Sequence, residues 1–193
     1  DPVLMTSQIL ISLQEEINRM APGNVPTVLS FGKVVADGAV NVIPDDVILE
    51  GTFRTMNEEW RKEAHRLIEK VASDISSAMG GSVKVEIRNG YPVLHNNEQI
   101  ARESKRLATK LLGKENVEDM EIRMTAEDFA WFTRNIPGMM YRLGVGDPGS
   151  EQLFPLHSPL FKVNESALRT GISVMAYLAI ELPKMEAVEK INS

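Results

Sequence analysis

The chain has 193 residues, length enough for one ordinary domain or two small ones, and its 43% hydrophobic and 25% charged residues are the balance of a chain that buries a core. Its net charge of −6 comes without any basic run, which argues against nucleic acid as a partner, and every apolar stretch breaks before the roughly 20 residues needed to cross a bilayer, which argues against a membrane. With no cysteine there can be no disulfide or thiolate metal site within the chain, and with no basic-then-apolar leader the expected location is cytoplasmic.

Asp1-Pro2 opens a helix, with Asp1 as N-cap and Pro2 at the first helical position. Met5, Ile9, Leu13, Ile17 and Met20 recur at helical spacing, and Leu10 and Ile11 widen the stripe. Residues 27–36, rich in β-branched side chains, read as a strand. A loop through Asp37-Gly38, Asn41 and Pro44-Asp45 leads to a second strand at 47–55. There Val47, Leu49, Gly51 and Phe53 face one way, and Ile48, Glu50, Thr52 and Arg54 the other. Asn57 caps the next helix, whose apolar stripe runs from Trp60 through Ala64, Leu67, Ile68, Val71 and Ile75 to Met79, before Gly80-Gly81 stops it. Residues 82–88 alternate strictly, with Val83, Val85 and Ile87 against Lys84, Glu86 and Arg88, and predict a third strand.

The order is thus α-β-β-α-β, with one antiparallel sheet expected from the three strands and both helices on the same face. One strand in front would complete the split β-α-β-β-α-β unit, in which the first strand is central. Without it, two strands lack a shared neighbour and their backbone groups lack partners. The expectation is a chain that starts in the middle of a longer one.

The second half differs in character. A helix is expected at 98–112, ended by Gly113, then a short helix at 126–134 and a buried strand at 138–146. Asn164 caps a last helix to about Leu182, with Leu168, Ile172, Met175 and Leu178 inside and a frayed polar tail from Pro183.

His157, in the loop FPLHSPLF at 154–161, is the first chemical candidate, since neutral imidazole is a common metal ligand. Its bland alternative is a histidine hydrogen-bonded within a proline-rich loop. His65 lies on the charged side of its helix and reads as solvated, and His95 sits in a polar loop without a partner pattern. Glu127-Asp128 could be an acid–base or ligand pair, yet Thr125-x-x-Asp128 is also a capping pattern. Arg54, on the polar face of its strand, could bind a substrate carboxylate through parallel hydrogen bonds or pair with a glutamate across the sheet. Asn41 could donate to a substrate oxygen or serve as a turn residue.

Asp1-Pro2-Val3, NVIPDDVILEGTFRT at 41–55, MTAEDFAWF at 124–132, YRLGVG at 141–146 and LHSPLFKVNESAL at 156–168 together resemble the M20 metallopeptidase and amidohydrolase family, in its order and over nearly the whole chain. The EDF segment and the LHSP loop look most like the branch with hippurate hydrolases, auxin-conjugate hydrolases and N-acetyl-diaminopimelate deacetylases. The resemblance implies an α/β (α+β) fold in two parts. Residues 1–94 would be a ferredoxin-like lid, or dimerisation, domain lacking its first strand, and residues 95–193 the C-terminal part of an α/β metallohydrolase catalytic domain. It implies hydrolysis of the amide bond of an N-acyl amino acid or peptide-like substrate, with a divalent metal, zinc or manganese, activating water and a glutamate as general base. It also implies a homodimer, and because the strand at 27–36 is expected at the edge of the sheet, the contact is expected through that strand, with Leu29 and Phe31, and the neighbouring helix 2–20.

By the same resemblance His157 matches the last metal ligand, and Asn41 and Arg54 match lid residues that contact substrate. No catalytic residue is assigned within the chain. The general base, most ligands and a histidine that precedes the Asp-Pro segment in relatives belong to the portion not present. Because catalytic zinc takes about three protein ligands, the expectation is a fragment that binds no metal and is inactive by itself. The competing reading is a non-catalytic ferredoxin-like binding or dimerisation module.

Overall fold

The computed structural model describes residues 1–147, 149 and 154–191, with side chains through Lys184. The chain divides into two compact units, one formed by Asp1–Val93 with Ile122–Asp128 and the other by Leu94–Glu121 with Phe129–Ser193.

The first unit begins with α1 (Pro2–Met20), where the Asp1 carboxylate accepts from the backbone N–H groups of Val3 at 2.8 Å and Leu4 at 3.1 Å. These are donors that the helix itself leaves unpaired. Strands β1 (Thr27–Val35) and β2 (Ile48–Thr55) pair antiparallel, from Thr27 opposite Thr55 to Val35 opposite Ile48. One irregularity, between Phe31 and Lys33, leaves Gly32 as the extra residue. Helix α2 (Glu58–Ala78) follows, with the Asn57 side chain accepting from Trp60 N–H at 2.8 Å.

Two hydrophobic clusters join these elements. Ile9, Leu13 and Ala72 pack with Leu29, Phe31 and Val85, and Ile17, Trp60 and Ala64 pack with Leu29 and Phe53. Each cluster mixes α1, α2 and inward strand side chains, so both helices cover the same face of the sheet. The Trp60 indole N–H reaches Thr27 Oγ1 at 2.9 Å, satisfying a polar atom at the edge of this core.

Residues 82–88 depart from expectation. Their alternation survives, with Val85 and Ile87 half-buried and Lys84, Glu86 and Arg88 exposed. Val85 packs on the Ile9–Leu13–Ala72 cluster, yet the segment joins no ladder, and the sheet has two strands rather than three. Side-chain periodicity places the segment against the core, but a strand also needs a backbone neighbour, and no described segment supplies one. His65 also departs from expectation. It is half-buried, with its ring edge-on to Phe53 at 6.0 Å, because the turn of α2 that carries Ala64 inward brings His65 over the end of β2.

In the second unit, α3 (Glu98–Leu112) starts at Asn97, whose side chain accepts from Ile100 N–H at 3.0 Å, and ends at Gly113 with φ 91°. That φ lies in the left-handed region that glycine adopts at little cost. A 3-10 turn (Lys114–Asn116), the short helix α4 (Ala130–Thr133) and α5 (Ser166–Ile191) follow. Leu107 of α3 packs on Val174 and Leu178 of α5, with Met139 and Tyr141 against them.

Four expectations are corrected here. Residues 138–146 form no strand: the Asn96 amide brackets Met140, donating to its C=O and accepting from its N–H at 2.9 Å each, so a side chain stands where a strand would. The helix expected at 126–134 shrinks to Ala130–Thr133. Its N-cap is Phe129, without a side-chain cap, so Thr125-x-x-Asp128 does not cap it. Helix α5 continues through Pro183 to Ile191. Finally, α5 buries Ala167, Val174 and Leu178 while Leu168, Ile172 and Met175 are exposed. Apolar residues ring this helix, so periodicity does not choose its face. Gly171 does, because Leu143 Cδ2 lies 2.9 Å from where a Cβ would stand. No helix among the described residues is long and apolar enough to cross a membrane.

Burial, and secondarily the nearby Arg61 charge, lower the pKa of His65, and Glu69 and Glu58 oppose the shift more weakly. The unfolded chain therefore binds a proton at His65 more readily than the folded one, so stability falls as pH drops below about 6.5, the ordinary histidine value. His65→Phe is expected to reduce this acid-side loss relative to the parent chain in urea titrations at pH 7.5 and 5.5. An unchanged difference between the two pH values contradicts it.

Candidate functional site

In the first unit the loop between β1 and β2 closes on itself, with Ala39 and Val42 exchanging backbone hydrogen bonds at 3.0 Å. Gly38 permits the closure, since a Cβ there would lie 2.5 Å from the Val42 carbonyl oxygen. Val40, Val42 and Ile43 are exposed at this tip, and Asn41 stands exposed between them. Its amide makes no side-chain hydrogen bond among the described residues, so it is not there to brace the turn.

Arg54 lies on the exposed face of β2, opposite Val28. The alternation that buries Phe53 turns it outward. Its Nη1 donates to the Met124 carbonyl oxygen at 2.8 Å, and it forms no ion pair among the described residues. The cross-strand pair with a glutamate considered for it is made instead by Lys33 with Glu50, at 3.0 Å. The guanidinium is thus fixed by a neutral acceptor, an arrangement that leaves N–H groups for a carboxylate from outside.

Asn41 and Arg54 are not brought together. The antiparallel register places the 36–47 loop beyond Ile48, whereas Arg54 is at the other end of β2. Positions 48 to 54 alone span about 20 Å at about 3.3 Å per residue.

In the second unit, His157 sits in a tightly turned loop. Ser158 N–H donates to the Pro155 carbonyl at 2.9 Å, Phe161 N–H to the Ser158 carbonyl at 3.0 Å, and Leu160 N–H to Ser158 Oγ at 3.1 Å. These bonds fix the backbone on either side of His157, whose imidazole is exposed and without a hydrogen bond among the described residues. The bland alternative, a histidine bonded within its loop, does not hold among those residues. As a donor His157 fits a metal. Among the described residues, however, no group of three histidine or acidic side chains is placed to hold one, so these residues do not form a metal centre by themselves.

Glu127 and Asp128 precede α4 in the chain. Thr125 and Glu127 are each engaged in an interaction, so neither is a free acid–base group. Sequence reasoning passed over one feature, an open cleft of about 330 Å³ bounded by His95, Asn96, Asn97, Arg134 and Gly138. It forms where Asn97 N–H meets the Gly138 carbonyl at 2.9 Å, a contact across 41 positions that no local pattern announces.

Comparison with known proteins places this geometry in context. The model of peptidase family M20/M25/M40 matches residues 6–181. The putative amidohydrolase YhaA of Bacillus subtilis is 34% identical over 93% of this chain and 46% of its own length. IAA-amino acid hydrolase ILR1-like 4 of Arabidopsis thaliana is 31% identical over 93% of this chain and 42% of its own. A solved structure, the YXEP protein of Bacillus subtilis described as a dinuclear metal binding peptidase from the M20 family, superposes with a TM-score of 0.72 at 26% identity. It is covered over 46% of its length and this chain over 94%. The chain thus spans less than half the length of the relatives it matches, and it belongs to peptidase family M20/M25/M40.

Proposed function

We propose that this chain is the lid and the C-terminal part of the catalytic domain of a metal-dependent amidohydrolase that cleaves N-acyl amino acids. Residues 1–94 are the ferredoxin-like lid and residues 95–193 the catalytic part. The observation that carries this reading is Arg54, a cation on a sheet face with a neutral tether and no carboxylate partner among the described residues. An N-acyl amino acid brings a carboxylate, and Arg54 takes it through its remaining N–H groups. Asn41 donates its amide N–H to an oxygen of the substrate. His157 contributes one neutral imidazole nitrogen to a zinc or manganese ion. When bound, that ion polarises the scissile carbonyl and makes water nucleophilic at neutral pH. One such donor is too few for a catalytic metal, so the isolated chain is inert.

The separation of Asn41 from Arg54 supports a homodimer. About 20 Å is longer than a small N-acyl amino acid, so one lid does not place both residues on the same substrate molecule, whereas two copies can each lend one. Leu4 and Ile11, two of the apolar residues that α1 leaves exposed, lie seven apart on the helix face opposite the buried Ile9, Leu13 and Ile17 and are the contact proposed. Leu29 and Phe31 of β1 are not part of it, since both pack in the core clusters.

Two outcomes test this. In a chimaera in which residues 1–193 replace the matched region of the Arabidopsis relative, hydrolysis of IAA-amino acid conjugates is expected. Arg54→Ala should lower kcat/KM by about 10- to 100-fold, the loss of a charge-assisted pair. A folded chimaera that is inert, or one indifferent to Arg54→Ala, contradicts the reading and favours a non-catalytic binding module. In sedimentation, the chain is expected to be a dimer that Ile11→Lys converts to monomer. A parent chain already monomeric at high concentration rules out the dimer.

A further inference from the structure

Asn89-Gly90 is the one place in the sequence where a glycine follows an asparagine. The pair lies between two anchors of the first unit. Ahead of it, Val85 packs on the Ile9–Leu13–Ala72 cluster. Behind it, the Arg61 guanidinium donates to the Tyr91 carbonyl oxygen at 2.9 Å, and Val93 N–H donates to a Glu58 carboxylate oxygen at 2.8 Å. Between these anchors Arg88, Asn89 and Gly90 are exposed.

An Asn-Gly pair commonly sits in a tight hairpin turn, where left-handed φ angles and a closing hydrogen bond hold it. Here neither residue has a positive φ, and no turn bond closes between Arg88 and Tyr91. Among the described residues the Asn89 side-chain amide makes no hydrogen bond, and the Gly90 N–H finds no acceptor. A Cβ at Gly90 would meet nothing within 4 Å, so the space beside its backbone is open. The other asparagines differ. Asn57, Asn96, Asn97, Asn116, Asn135 and Asn164 each commit their side-chain amide to a hydrogen bond. Asn18, Asn24 and Asn41 are followed by Arg19, Val25 and Val42, whose side chains crowd the next backbone nitrogen.

We propose that Asn89 is a site of spontaneous deamidation, with water as the only co-reactant. The Gly90 backbone nitrogen, having lost its proton, attacks Cγ of Asn89. A C–N bond forms, the bond from Cγ to Nδ2 breaks, and the side-chain nitrogen leaves as ammonia carrying the proton that Gly90 gave up. The product is a five-membered succinimide. Water then opens the ring at one of its two carbonyls, and nothing is oxidised or reduced. Cleavage of the new bond leaves aspartate at position 89. Cleavage of the original peptide bond leaves isoaspartate, with the main chain running through Cβ and Cγ. Glycine favours ring closure because it has no Cβ to block the approach and a wide range of torsions. Either product adds a carboxylate beside Arg88, a change of charge, and isoaspartate also lengthens the main chain by one carbon between the two anchors. The chemistry is independent of the amidohydrolase reading.

The test incubates the folded chain at pH 8 and pH 5, with a parallel sample held unfolded in urea, and maps amide loss by peptide mass spectrometry. Isoaspartate is read separately, with a protein isoaspartyl methyltransferase and a labelled methyl donor. Asn89 is expected to lose ammonia at least about tenfold faster than any other described asparagine, because it alone precedes glycine. Loss should be faster at pH 8, where more of the attacking nitrogen is deprotonated, and isoaspartate should accumulate at position 89. Since the fold does not hold the pair, the folded rate is expected within about threefold of the unfolded one. Gly90→Ala should slow the loss by about tenfold in a chain whose urea midpoint is unchanged, and Asn89→Gln should abolish it. A folded rate more than threefold below the unfolded one overturns the proposal, for the structure would then shield the pair. So does deamidation led by another described asparagine, or loss at Asn89 indifferent to Gly90→Ala.

Discussion

Leu29 and Ile68 belong to both hydrophobic clusters of the first unit, so the seating of α1 and α2 on the sheet converges on one strand residue and one helix residue. Everything chemical in that unit follows from this seating. Burial of Leu29 and Phe53 on one face commits the alternate residues to the other by the period of two. Arg54 is therefore outward because Phe53 is inward. The same packing holds residues 82–88 through Val85 even though their backbone has no partner.

The second unit rests on a smaller contact, Leu107 of α3 against Val174 and Leu178 of α5. This contact uses one side of α5 and leaves Leu168, Ile172 and Met175 exposed on another. The loop carrying His157 is held by its own turns rather than by packing, with Leu156 and Leu160 exposed on either side of it. Its imidazole is presented, not stored. A histidine so placed is open to a partner from outside the described residues, which suits the metal-donor role proposed for it.

What was legible in the sequence was mostly local. Asp1 and Asn57 cap their helices because capping is decided within four residues. The inward placement of Phe53 follows from alternation, whereas Leu29 and Phe31, expected at a contact between copies, pack against the core clusters instead. The misreadings need partners remote in the chain. Alternation at 82–88 predicts which side chains face the core but not whether a neighbouring strand exists. Residues 138–146 look like a strand until Asn96, more than 40 positions away, takes the place of one. The inward face of α5 is chosen by Leu143 closing on Gly171, and a helix apolar all round gives periodicity nothing to select. For Asn41, Arg54 and His157 the residue types alone left bland alternatives open and only the family resemblance proposed roles, while their spacing on the sheet and in two separate units is not written in any local pattern.

The function proposed here makes His157 one donor of a metal centre whose remaining ligands lie in the part of M20 chains outside the matched region. Zinc content after exhaustive dialysis tests it most directly. The account predicts no retained zinc in residues 1–193. It predicts retained zinc in the chimaera with the Arabidopsis relative's remaining portion, and loss of at least one equivalent on His157→Ala in that chimaera. Stoichiometric zinc surviving dialysis in the isolated monomeric chain, or zinc in the chimaera indifferent to His157→Ala, contradicts it.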